Sequence, residues 1–257
     1  MYNSEISSNL LFHFTPKVEF LVSILDKGFF PRTAKEDISF MLPNYPSCKV
    51  GIPMVCFTDI PFELSEPHRQ EYGSFGIGLK KEWGINNGLN PVNYIIKNSE
   101  MYKAYNHLQF IASENAKKLD EIKLGKSVES GTPGENTLQM MVDFMNYAGF
   151  LKEYSSDPTL ESKPYYDERE WRYLPPFTDN VPSENGYCNR LLPEDVDDSI
   201  AKQKLDKHME EVYPLKFTLT DIETIVVPDE SIEDFKIELC KHHMNMEDYL
   251  SKIPHEK

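Results

Sequence analysis

The chain has 257 residues, 40% of them hydrophobic and 12% aromatic, which excludes a disordered chain and is enough to bury the core of one large domain. A formal net charge of -15 opposes bulk attraction to nucleic acid, because such binding begins with Lys and Arg neutralising phosphates; any contact of that kind needs a local basic patch. No apolar run approaches the roughly 20 residues that span a bilayer, and "MYNSEISSNLLFHF" lacks the basic-then-apolar layout of a signal peptide, so the expectation is a soluble, cytoplasmic protein with no membrane partner.

In chain order, "NLLFHFTPKVEFLVSILDKGFFPR" predicts a strand at Leu10 to Phe14 and then a helix. Thr15 is placed to cap it and Pro16 to occupy its first position. Val18, Leu21, Val22 and Leu25 repeat at i, i+3, i+4 and i+7 before Gly28 ends it. "GIPMVCFTDIPF" predicts a second strand over Pro53 to Thr58. "YGSFGIGLKKEW" predicts a third, in which Gly76 and Gly78 share one face. Glycine there implies that a ligand or another backbone approaches closely.

From Asn98 to about Tyr154 the apolar spacing is helical on both sides of the breaker-rich "GKSVESGTPGEN". The chain returns to strand at Glu168 to Leu174, crosses a polar loop and a helix up to Tyr213, and ends in two short strands and a helix started by Ser231. Strands scattered among helices without regular alternation indicate an α+β fold. The expected organisation is a single domain over 1–257 with a helical insertion at about 98–155. Cys48, Cys56, Cys188 and Cys240 lie far apart with no C-x-x-C pair, which suggests free thiols, no disulfide framework and no metal.

Three constellations carry chemistry. In "DEREWRYL" the period of a strand puts Glu168, Glu170 and Arg172 on one face and Arg169, Trp171 and Tyr173 on the other. Such a strand is either a half-exposed edge with paired surface charges or a Glu-x-Glu site able to stabilise a sugar cation. In "FHFT", His13 is either a satisfied structural residue or, beside Thr15 and a helix N-terminus, a donor to ribose or phosphate. Tyr72, ahead of the glycine-bearing strand, is either a core aromatic or a ring that stacks on a nicotinamide or base.

The ordered set "LFHFTPKVEFLVSILDKGFFPR", "MVCFTDIP", "YGSFGIGLKKEW", "GLNPVNYI" and "EREWRYL" resembles the AbiGi family of phage abortive-infection proteins, which has been labelled an antitoxin. The His-x-Thr strand end followed by a helix is also similar to the opening of ADP-ribosyltransferases of the His-Tyr-Glu type, including DarT-like modifiers of nucleic acid. That resemblance implies a split antiparallel sheet gripping NAD without a metal. It places Glu170, Glu168 and His13 in catalytic roles, and His13, Phe14, Thr15, Tyr72 and Arg172 around the cofactor. The expected activity is that of a phage-defence toxin transferring ADP-ribose from NAD to a macromolecule, nucleic acid ahead of protein, with an antitoxin or regulatory protein as partner. Lys80, Lys81 and Arg69 are too few to decide the acceptor. The alternatives are a non-catalytic antitoxin or regulatory module on the same fold, and an NAD glycohydrolase.

Overall fold

The first strand, β1 (Leu10–Thr15), is rich in Leu and Phe, buries Leu11, Phe12, Phe14 and Thr15, and lies inside a seven-stranded sheet. The structure is a computed structural model and describes residues 8–41, 47–108, 110–111, 143, 146–155, 163–176, 190–191 and 193–254. After β1 come helix α1 (Val18–Lys27), β2 (Arg32–Asp37), β3 (Lys49–Thr58), the short helix α2 (Glu66–Tyr72), β4 (Phe75–Lys80), α3 (Lys81–Asn86) and β5 (Asn90–Pro91). β6 (Asn93–Ile95) and β7 (Leu151–Glu153) form a separate parallel ribbon. β8 (Glu170–Tyr173), α4 (Ser199–Val212), β9 (Ile222–Val226), α5 (Ile232–Lys241) and α6 (Met246–Leu250) complete the chain.

The large sheet runs β5-β8-β3-β1-β4-β9, with β2 beside the first half of β3, and every pairing in it is antiparallel. β1 pairs with β4 from Leu10↔Lys80 to Thr15↔Phe75, yet its register with β3 is the single pair Phe12↔Thr58. The sheet is therefore two antiparallel halves that meet at one point. This is the α+β, antiparallel arrangement that the scattered strands imply.

One face of the sheet carries the main core. Leu11, Val55, Phe57, Ile77, Leu79 and Ile225 pack there against Leu21, Val22 and Leu25 of α1 and Phe235 and Leu239 of α5. Burying a side chain such as Leu21, 1% exposed, contributes roughly 1.5–3 kcal/mol. Helix α1 buries the four residues its spacing singles out, and Gly28, at φ 83, closes it by donating its N–H to Ile24 O. The expected cap is different: Thr15 stays in β1 opposite Phe75, and Lys17 takes the N-cap position without a side-chain bond. A residue before proline favours the extended conformation, so Pro16 holds Thr15 in the strand.

Other boundaries also shift. Tyr165–Glu168 is a 3-10 turn rather than strand, and Arg169 is left-handed at φ 45. Thr58 Oγ1 donates to Glu168 O, and Asp59 N donates to Arg169 O, which holds this turn where β3 runs out. Of the two C-terminal strands expected, one is β9 and the other is a single bridge, Phe29↔Leu215. Within the expected helical insertion, residues 100–108 and 146–148 are helical, and 112–142 lie outside the described residues, as does Cys188. Cys48 is buried, Cys56 half-buried and Cys240 exposed, and none of the three is in a disulfide.

The glycines of β4 do not make room for a ligand. A Cβ on Gly76 would lie 2.6 Å from the ring of Phe14, and one on Gly78 would lie 2.8 Å from that of Phe12. The close neighbours are the protein's own side chains one strand across: Phe12 and Phe14 on β1, and Thr224 on β9. Gly73 is the more demanding position: at φ 124, a Cβ would sit 2.2 Å from Thr15 O, so glycine alone lets the end of α2 press on the end of β1. Gly73→Ala is expected to lose about 1–3 kcal/mol of stability, read by urea denaturation.

Candidate functional site

The opposite face of the sheet holds a cleft of about 240 Å³ where its two halves meet. Phe12, Phe14, Met54 and Cys56 form its floor, α2 contributes His68 and Tyr72, and Lys152, Glu168 and Glu170 line the far side. Phe12 faces Thr58 and Thr58 faces Glu170, so the two acidic and aromatic walls stand two strand spacings apart, roughly 10 Å.

His13 lies at the split itself. Its Nδ1 is 2.8 Å from Cys56 O. A carbonyl only accepts, so Nδ1 carries the proton and Nε2 keeps a lone pair. Where β1 and β3 leave register, the imidazole replaces the missing ladder bond. Burial lowers its pKa against the opposing hydrogen bond to Cys56, and the ring packs 5.1 Å from Phe29 and 5.6 Å from Phe57. His13 thus has a structural bond on one nitrogen and an acceptor on the other.

Tyr72 and His68 sit one helical turn apart on α2, and their rings lie 4.4 Å apart at 33°. Tyr72 is 40% exposed, and burial followed by Glu168 raises its phenol pKa, so it presents a neutral ring. Burial, and then Lys163, push His68 down to about 4, and its buried Nδ1 has no hydrogen-bond partner. Phe14 lies under this pair, 5.8 Å from His68 and stacked on Phe12 at 5.7 Å.

The acidic side is a chain of alternating charges. Lys152 Nζ donates to Glu168 Oε2 at 2.8 Å and to Glu170 Oε2 at 3.0 Å. Arg172 donates from Nε to Glu170 Oε1 at 2.6 Å, from one terminal nitrogen to Glu36 Oε2 at 3.0 Å, and from the other to Gly149 O at 2.8 Å. Glu170 is 7% exposed. Burial pushes its carboxyl up, but Arg172, and then Lys152, outweigh that and hold it at about 2. Burial alone would lower Lys152, and Glu170 and Glu168 raise it well above the ordinary lysine range. The Cys56 thiol is pushed well up by burial and by Glu170, to which it donates, so it stays protonated.

The structure brings together His13, Phe14, Tyr72, Glu168 and Glu170 of the expected site. It places two others elsewhere. Thr15 is 5% exposed and does not line the cleft, because Pro16 keeps it in the strand under Gly73. Arg172 is 1% exposed with its donors taken by Glu170, Glu36 and Gly149, so it braces the carboxylate rather than facing a cofactor. Glu168 reaches the cleft from the turn, not from the strand face shared with Glu170. Lys152, His68, Cys56 and Glu36 are the residues that sequence reasoning missed. The i, i+4 pairing of His68 with Tyr72 was a usable signal; Lys152 had none. Among the described residues no group of His, Cys, Asp or Glu could hold a metal ion, and no helix is long and apolar enough to cross a membrane.

These features define an α+β protein whose antiparallel sheet parts around a cleft with a satisfied charge network. The chain belongs to the AbiGi family: the model described as "Putative abortive phage resistance protein AbiGi, antitoxin" matches residues 27–228. It is also 31% identical over 169 residues to the abortive phage resistance protein AbiGi of Lactococcus lactis subsp. cremoris, covering 60% of this chain. The match spans 65% of that curated relative's length. No solved structure matches the chain.

Glu170 supplies a measurable signature. Its pKa is 4.5 ordinarily and about 2 when folded, so its stabilisation is complete above about pH 4.5 and disappears as pH falls through 2. Chemical denaturation from pH 7 to 2 is expected to show an acid loss about 3 kcal/mol larger in the parent than in Glu170→Gln. At pH 7 the substitution itself costs about 3–5 kcal/mol, because Arg172 and Lys152 lose a buried partner.

Proposed function

We propose that this protein serves abortive phage resistance as an antitoxin or regulatory binding module, on a transferase-like sheet whose cleft binds without turning over. The ammonium of Lys152 on both cleft carboxylates carries this reading. Breaking a nicotinamide–ribose bond builds positive charge on the sugar, and a fixed carboxylate speeds it only if its field reaches that charge. An ammonium 3.0 Å from Glu170 cancels most of that field. The cavity, about 240 Å³, also lies below the roughly 300–1,000 Å³ of small-molecule sites, so it takes part of a dinucleotide rather than all of it. The family's description as an antitoxin supports the same reading.

A second reading is favoured by a separate observation, the meeting of His13, Tyr72, Glu168 and Glu170 at one cavity. In that reading the protein is a phage-defence transferase that moves ADP-ribose from NAD to a macromolecule, nucleic acid ahead of protein, or to water. His13 Nε2 accepts from a ribose hydroxyl, Tyr72 lies against the nicotinamide, and Glu170 faces the sugar cation once Lys152 withdraws.

Labelled NAD and a growth assay separate the readings. The antitoxin reading expects NAD to remain intact with purified protein, and co-expression to restore growth to cells carrying the partner toxin. Label on a macromolecule, or free ADP-ribose, overturns it in favour of transfer or hydrolysis respectively.

A further inference from the structure

Lys152 does more than pair with a carboxylate. Its Nζ sits between two of them, at 2.8 Å and 3.0 Å, and 4.9 Å above the centre of the Tyr165 ring. Two anionic oxygens and an aromatic face around one ammonium make a receptor for a cation. The ammonium arrives from β7, in register with Tyr94, whose hydroxyl accepts from Glu170 N at 3.0 Å. It hangs on a flexible four-carbon stem, and its side chain is 19% exposed at the cleft wall. The network holds three carboxylates, Glu36, Glu168 and Glu170, against two cations, Lys152 and Arg172. Withdrawal of Lys152 leaves Arg172 on Glu170 and an excess of two negative charges facing the cleft.

We infer that Glu168, Glu170 and the Tyr165 ring form a subsite for an organic monocation, that Lys152 fills it as an internal ligand, and that a ligand's cationic group enters by exchange with it. The inference rests on the cleft being the binding site of the proposed function. The chemistry required is an ammonium, a guanidinium or a cationic aromatic ring. Such a group comes equally from a partner protein's side chain or from the oxidised nicotinamide of NAD. The subsite couples occupancy to the β6–β7 ribbon, because the residue displaced belongs to that ribbon.

Lys152→Met removes the internal ligand and keeps most of its length. Its Tm is expected to fall by about 10 °C, as a buried anion pair loses its counter-charge. Ethylammonium chloride should then recover part of that loss saturably, beyond sodium chloride at equal ionic strength, and should leave the parent protein unmoved. Ethylammonium acting no better than sodium on the variant overturns the inference. If Lys152→Met does not fold, labelling of the parent with an amine-reactive ester decides. Lys152 should react at least about tenfold more slowly than the exposed Lys103, because a caged ammonium gives up its proton less readily, and Glu168→Gln should speed it several-fold. Labelling of Lys152 as fast as Lys103 overturns the inference. NAD that accelerates Lys152 labelling where NADH does not identifies the cation as the nicotinamide. NAD without effect, beside ethylammonium rescue, keeps the subsite and removes the dinucleotide from the cleft, leaving a partner's cationic side chain.

Discussion

The buried run Glu36–Arg172–Glu170–Lys152–Glu168 is the interaction on which the arrangement of the acidic wall depends. Each charge in it is expensive to remove from water, and each is offset by an opposite charge at hydrogen-bond distance. Its members come from β2, β7, β8 and the turn before β8, so the same bonds that compensate the charges also tie the distant β2 and the β7 ribbon to the turn and strand that carry the carboxylates. Apolar packing covers the sheet's other face. What the charges contribute is position: Glu170 is held ionised, oriented and shielded by its own protein.

That shielding separates geometry from reactivity. The cleft gathers an imidazole acceptor, an exposed phenol ring and two carboxylates. Their presence together is a matter of strand order; what they can do depends on where Lys152 stands. With Lys152 seated on both carboxylates, the acidic wall faces the cleft as a neutralised surface.

Sequence reading succeeded where one local rule governs. Val18, Leu21, Val22 and Leu25 fix α1 by spacing alone, and Phe12, His13 and Phe14 fix β1 by alternation. Glu168 and Glu170 were recognisable as a pair because charges among Tyr166, Trp171 and Tyr173 need an explanation. Features set by tertiary partners were not legible. Arg32–Asp37 has a polar sequence and is a strand only because β3 offers it a complete ladder of six pairs. Arg172 looks like a ligand-facing residue until Glu36, Gly149 and Glu170 are seen to take its donors. Lys152 falls in a stretch whose apolar spacing reads as helix but which folds as β7, and nothing local tells a surface lysine from one inserted between two carboxylates.

The tight seat of Gly73 on the backbone of Thr15 has a mechanical consequence. It welds the aromatic wall to the central strand, so His68 and Tyr72 form a rigid jamb whose place is decided when the chain folds. Any widening of the mouth must then come from the opposite side, where the ribbon bearing Lys152 meets the sheet through polar bonds of Lys152 and Tyr94 and through an apolar cluster of Ile95 and Leu151 with Phe40 and Met41. Entry is thereby made one-sided, and whatever loosens that ribbon sets how far the cleft can open.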